Sequence, residues 1–153
     1  MPLITVSYAT DRPDGEVLKP AIARLVTRFA ASCLHKRPDL TAVIVQRVPA
    51  ESWTVGGRTV AGSGLATYAL TITITDGTNT KREKAAFLAA VHAGMAEVLG
   101  PLFPESYVHV SDARAEAYGY GGLTQEFRHV AELLDAATRN AAAAAAIGDH
   151  GVR

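Results

Sequence analysis

The chain carries one strand, helix, strand pattern twice, and this repetition limits its fold more than any single residue does. The first copy runs as an apolar strand (Leu3 to Ala9), a polar break, an amphipathic helix (about Val17 to Leu34) and a second strand (Leu40 to Val48), and closes on Trp53, Thr54, Val55, Gly56 and Gly57. The second copy keeps that order, with a strand from Thr67 to Thr75, a break at Asp76 to Asn79, a helix from about Lys81 to Leu99 and a strand from Tyr107 to Asp112. It closes on Tyr118, Gly119, Tyr120, Gly121 and Gly122. The two Gly-Gly pairs lie 65 residues apart, and an aromatic residue stands three positions before each. Self-similarity at a fixed period marks a duplicated supersecondary unit, here a βαβ unit.

Local signals support the elements. Leu70, Ile72 and Ile74 alternate with Thr71, Thr73 and Thr75, the period of a strand with one face on a core. Thr80 and Glu83 have capping-box spacing, which predicts the start of the second helix. Its apolar face is Phe87, Leu88, Val91, Met95, Val98 and Leu99, and Gly100-Pro101 ends it. In the first helix Pro20 is tolerated only in the first turn, so regular bonding begins near Val17 to Lys19 rather than at Asp14.

Each strand, helix, strand unit makes its two strands parallel through a right-handed crossover that lays the helix on one face of the sheet. The expected fold is therefore α+β: tandem βαβ units forming a four-stranded sheet with two helices on one face, plus a C-terminal helix. That last helix is expected from about Val130 into the alanine run 141 to 146, fraying toward Arg153. One domain spans 1–128 (repeat one about 2–60, repeat two about 66–128), with helix and tail at 129–153. The other sheet face mixes threonine with apolar side chains, which favours packing against other subunits.

At 153 residues the chain supports one domain with a proper core. Fifteen basic residues balance fifteen acidic ones, and no block of like charge would recruit nucleic acid or an anionic membrane. The N-terminus has no basic region followed by a long apolar run, and no segment reaches membrane-span length, so a cytoplasmic protein is expected. Five histidines lie scattered without metal-ligand spacing, so neither a metal nor a cofactor is implied. The one cysteine, Cys33, falls in the apolar stretch Leu25, Val26, Phe29 and Ala30, and reads as a core residue.

Pro2 stands at the start of the first strand. With Met1 removed it becomes a secondary amine. An α-amino group titrates near ~8. Burial beside a cation disfavours its charged form and moves it toward the range of a useful general base.

Pro2, Arg12 and the aromatic-x-x-Gly-Gly hairpin at Trp53 to Gly57 together resemble the tautomerase superfamily, in particular 4-oxalocrotonate tautomerase. The duplicated halves look like a fused member. The resemblance covers roughly Pro2 to Arg128. It implies that Pro2 shuttles a proton between carbon and oxygen of a small enolisable carboxylic acid, that Arg12 holds the substrate carboxylate, and that Trp53 forms an apolar wall. It also implies a homotrimer with one amine per chain, since Thr67 to Ala69 occupy the place of a second proline mid-chain.

One departure from that pattern concerns a second arginine early on the strand after the first helix, where this chain has Ala42. Arg114 or Arg128 near the second hairpin, or Lys36 and Arg37 after the first helix, are candidate replacements. The stretch Asp76 to Asn79 lacks the arginines of relatives that dehalogenate or decarboxylate. His109 and Glu116 are further proton-donor candidates, and Tyr118 heads the second hairpin. A hydratase or decarboxylase using Glu116 to activate water is a second enzymatic reading. A non-catalytic trimeric binding module is a third.

Overall fold

The computed structural model describes residues 1–13 and 16–148, and its sheet grows from strands with one dry and one open face. Strand β1 (Leu3–Ala9) turns Ile4, Val6 and Tyr8 inward, each fully buried. Strand β5 (Thr67–Thr75) turns Tyr68, Leu70, Ile72 and Ile74 the same way. Between them in sequence come helix α1 (Leu18–Leu34), strand β2 (Ala42–Arg47) and the short hairpin β3 (Thr54–Val55) and β4 (Arg58–Thr59). Helix α2 (Lys81–Leu99), strand β6 (Tyr107–Ala113), the hairpin β7 (Gly119–Tyr120) and β8 (Leu123–Thr124), and helix α3 (Gln125–Gly148) complete the chain.

The sheet order is β2-β1-β5-β6. β1 pairs parallel with β2, Leu3 facing Ala42, and antiparallel with β5, Leu3 facing Thr73. The parallel pair is the one joined through α1, as a βαβ crossover requires.

Ile22, Leu25, Val26, Ala30 and Leu34 of α1, with Phe87, Val91, Met95 and Leu99 of α2, join the inward side chains of β1 and β5 in one core. Both helices therefore cover one face. Leu88, expected on the apolar face of α2, is exposed: at i+1 from Phe87 it lies about 100° around the helix, outside the core stripe. The capping box of α2 is present, with Thr80 Oγ1 accepting from the Glu83 N–H and the Glu83 carboxylate accepting from the Thr80 N–H. The second sheet face lacks a cover among the described residues, and leaves Leu3, Ile44, Tyr107 and Thr71 exposed.

The chain divides into two compact units, one spanning Met1–Asp112 and the other beginning at Ala113. The second hairpin thus groups with α3. That helix starts at Gln125 rather than near Val130, because Thr124 Oγ1 accepts the Phe127 N–H and caps it as soon as the hairpin ends. The expected fraying toward Arg153 falls on 149–153, outside the described residues.

Candidate active site

Proline has no N–H to give a sheet ladder and so belongs at the first position of a strand. Pro2 stands immediately before β1, where no ladder N–H is required, and is buried, with its carbonyl accepting the Ala42 N–H at 3.2 Å. The Met1 amine beside it is pushed below the ordinary α-amino value, first by burial and then by the positive charge of Lys36.

Lys36 arrives there through the end of α1. His35 adopts the left-handed conformation at φ 56°, and the Lys36 N–H reaches back to the Ala30 carbonyl at 3.0 Å, a Schellman-type closure that turns the chain sharply. Lys36 Nζ then donates to Thr78 Oγ1 at 2.9 Å, and the Thr78 hydroxyl donates to the Thr75 carbonyl at 2.6 Å. Burial pushes the Lys36 ammonium below the usual lysine value, against the pull of Glu83 and Asp112, while Lys84 adds to the lowering. Lys84 Nζ holds Asp112 at 2.5 Å. The loop after β5, the first turn of α2 and the end of β6 thus bear on Lys36 at the end of α1, and the Lys36 charge in turn reaches the terminal amine.

Among the candidate replacements for the absent arginine, Lys36 is the cation whose charge reaches the amine. Arg37 turns instead to Asp39, at 2.6 Å. Ala42 presents only a methyl group at the start of β2.

Arg12 and Trp53 lie elsewhere. Both follow the C-terminal end of the parallel pair, and the length of β1, ~23 Å at the usual strand rise, separates them from the same chain's Pro2. Trp53 is half-buried against the small cluster Ala9, Ala50, Val60 and Phe103. Arg12 is exposed, and its N–H donates to Thr10 Oγ1 at 3.2 Å. Its loop is fastened by Arg47, whose Nη2 donates to the carbonyls of Thr10 at 3.0 Å and Arg12 at 2.8 Å. Sequence reasoning missed Arg47. Its position at the last residue of β2, level with Tyr8 of β1, was the available signal.

His109 lies exposed on β6, on the side opposite the core-facing Val108 and Val110. In the second unit Arg114 and Glu116 form an exposed ion pair at 3.9 Å. Glu116 and Tyr118 line a shallow hollow of about 270 Å³ with the residues of the hairpin. Arg128 stacks on the Tyr120 ring at 3.8 Å and donates to the Tyr120 carbonyl at 2.8 Å, so it braces the hairpin. A wider groove of about 800 Å³ along the outer face of α1, between Ala23 and Pro38, holds none of the candidate residues. Among the described residues no group of His, Cys, Asp and Glu has metal-binding geometry. Among the described residues no helix is long and apolar enough to cross a membrane.

No protein-family model matches this chain, and no curated protein sequence matches it. Solved structures do. Native fused 4-OT is 20% identical with a TM-score of 0.69, over 81% of this chain and 96% of that one. A wild-type fused 4-OT described as an asymmetric trimer is 19% identical with a TM-score of 0.66, over 80% and 96%. Pt0534 inactivated by 2-oxo-3-pentynoate is 15% identical with a TM-score of 0.70, over 82% and 98%. At these identities the likeness is one of fold: this chain has the tautomerase-like fold, in its fused form.

Proposed function

We propose that this chain is a cofactor-independent tautomerase acting on a small enolisable carboxylic acid, such as an enolpyruvate or a 2-hydroxydienoate. The observation that carries this reading is the buried Pro2 next to the half-buried Met1 amine, which burial and the Lys36 charge hold below its ordinary pKa. After removal of Met1 the secondary amine of Pro2 takes that place. As the neutral base it accepts the enol O–H proton. As the acid it delivers a proton to the far carbon of the double bond, so that C=C–O–H becomes H–C–C=O with no net gain or loss. Arg12 holds the substrate carboxylate through its planar fork, and Trp53 walls the pocket.

Because Arg12 and Trp53 stand a strand's length from Pro2 of their own chain, the complete site draws them from a neighbouring copy. A homotrimer supplies that neighbour, the assembly described for fused 4-OT.

The reading is tested by mass spectrometry and by ultraviolet assay of enolpyruvate ketonisation. The expected mass begins at Pro2, and Pro2→Ala is expected to lower the rate about 10²-fold or more. Treatment with 2-oxo-3-pentynoate, an electrophile toward amines, is expected to label the N-terminal peptide. Retained Met1, or undiminished turnover in Pro2→Ala, refutes it.

A further inference from the structure

We propose that α3 pairs antiparallel with the α3 of a second copy of this chain, a contact independent of the tautomerase reading. The helix has 24 residues and so runs about 36 Å. Phe127, Val130, Leu133 and Leu134 on it are 48% to 64% exposed, and they are four of the ten large apolar side chains left exposed among the described residues. Its other side is used within its own unit, where Arg128 braces the hairpin through Tyr120.

The exposed side chains belong to a regular seam. Phe127, Val130, Leu134, Ala137, Ala141 and Ala144 recur at alternating spacings of three and four, the a and d positions of a heptad, and Leu133 borders them. Arg128, Glu132, Asp135 and Arg139 fall on the opposite side of the helix.

The seam is lopsided, and this selects the occupant. Its first half carries three large side chains and its second half three alanines. In a parallel pair large would meet large at one end and methyl would meet methyl at the other, so the two axes could not keep one spacing. In an antiparallel pair about a twofold axis Phe127 meets Ala144, Val130 meets Ala141 and Leu134 meets Ala137. Every layer then holds one large and one small side chain, the alternation that fills a core at even spacing. A second α3 supplies that reversed order of sizes, and the twofold axis lets both helices serve as knob and hole at once. A membrane surface selects helices with a basic polar face. Here Glu132 and Asp135 balance Arg128 and Arg139. Three mixed layers bury less than a lasting interface needs, so the pair forms at concentrations well above micromolar and separates below them.

The test is disulfide trapping of the full chain at high concentration in a Cys33→Ala background. Val130→Cys and Ala141→Cys chains carrying tags of different length are co-expressed and mildly oxidised. The expected disulfide joins a Val130→Cys chain to an Ala141→Cys chain. Arg139→Cys, on the opposite side of the helix, is expected to give none. Adding Leu134→Glu to both chains is expected to lower the yield about tenfold or more, because the pair would bury an unpaired carboxylate. Circular dichroism checks that each variant keeps its helices. Disulfides joining Val130→Cys chains to one another and Ala141→Cys chains to one another mean a parallel pair and overturn the proposal. An equal yield from Arg139→Cys, a yield unmoved by Leu134→Glu, or no disulfide at all overturns it as well. So does sedimentation of the wild type with phosphatidylserine vesicles in place of crosslinking.

Discussion

Pro2 and Arg12 flank the same strand at opposite ends, with all seven residues of β1 between them. β1 is held on both sides, by β2 and β5, so bending cannot bring the two together. Arg47 fastens the Arg12 loop from the next strand. A reaction that needs the amine and the guanidinium on one substrate therefore needs two copies of the chain, the amine end of one against the Arg12 end of another.

This geometry makes complementation the sharpest test of the proposed divided site. Pro2→Ala and Arg12→Ala, each expressed alone, are expected to retain about 1% of wild-type kcat/KM or less. Co-expressed and purified as mixed assemblies, they are expected to recover a substantial fraction, because some sites pair an intact Pro2 with an intact Arg12. Were both residues to act within one chain, mixing would restore nothing.

The lowered amine also sets a pH dependence. In the proposed mechanism the base is neutral, and the burial and Lys36 charge that lower the Met1 amine are expected to act on the Pro2 amine left by its removal, so kcat/KM is expected to rise with pH and to level off below the ~8 of an unperturbed α-amine. An acidic limb centred at or above that value would show that burial and Lys36 do not act on Pro2.

Glu83 gives a stability prediction in a more acidic window. Its folded pKa is depressed from 4.5 to about 2 by the hydrogen bonds of the capping box. The stabilisation is therefore fully present above 4.5 and is lost as pH falls through the window toward 2. The Tm gap between wild type and Glu83→Gln is expected to be constant near neutrality and to narrow across that window. Thr80→Ala, which removes the cap itself, is expected to cost about 1 kcal/mol at neutral pH. A gap that widens in acid would contradict the assignment.

The cap was legible because Thr80 and Glu83 carry the whole signal within one turn. The same locality made α2 readable from Lys81 to Leu99 and revealed the alternation of β5. The start of α3 was obscured because Thr124 ends a strand and caps a helix at once, with Phe127 rather than an acid at the third position. Lys36 was visible only as one of several cations. What selects it is the left-handed turn at His35, which depends on α1 ending where Thr78 waits across the sheet. The separation of Arg12 from Pro2 follows from β1 being one unbroken central strand, whereas the partner that the proposed trimer supplies to reunite them would lie outside the chain.

Assembly is the last expectation. The uncovered sheet face carries Leu3, Ile44 and Tyr107, all exposed, among threonines that neither repel water strongly nor oppose burial. Two βαβ units per chain and a threefold axis would bury this face and bring the Arg12 end of one copy to the amine end of the next. Light scattering is expected to give a trimer mass at micromolar concentration. Ile44→Glu, which places a charge on the open face away from the core, is expected to shift the protein toward monomer and to abolish ketonisation together with assembly, with helical circular dichroism retained. Arg12 and Pro2 are intact in that variant, so full activity from a monomer would show that a single chain completes the site after all.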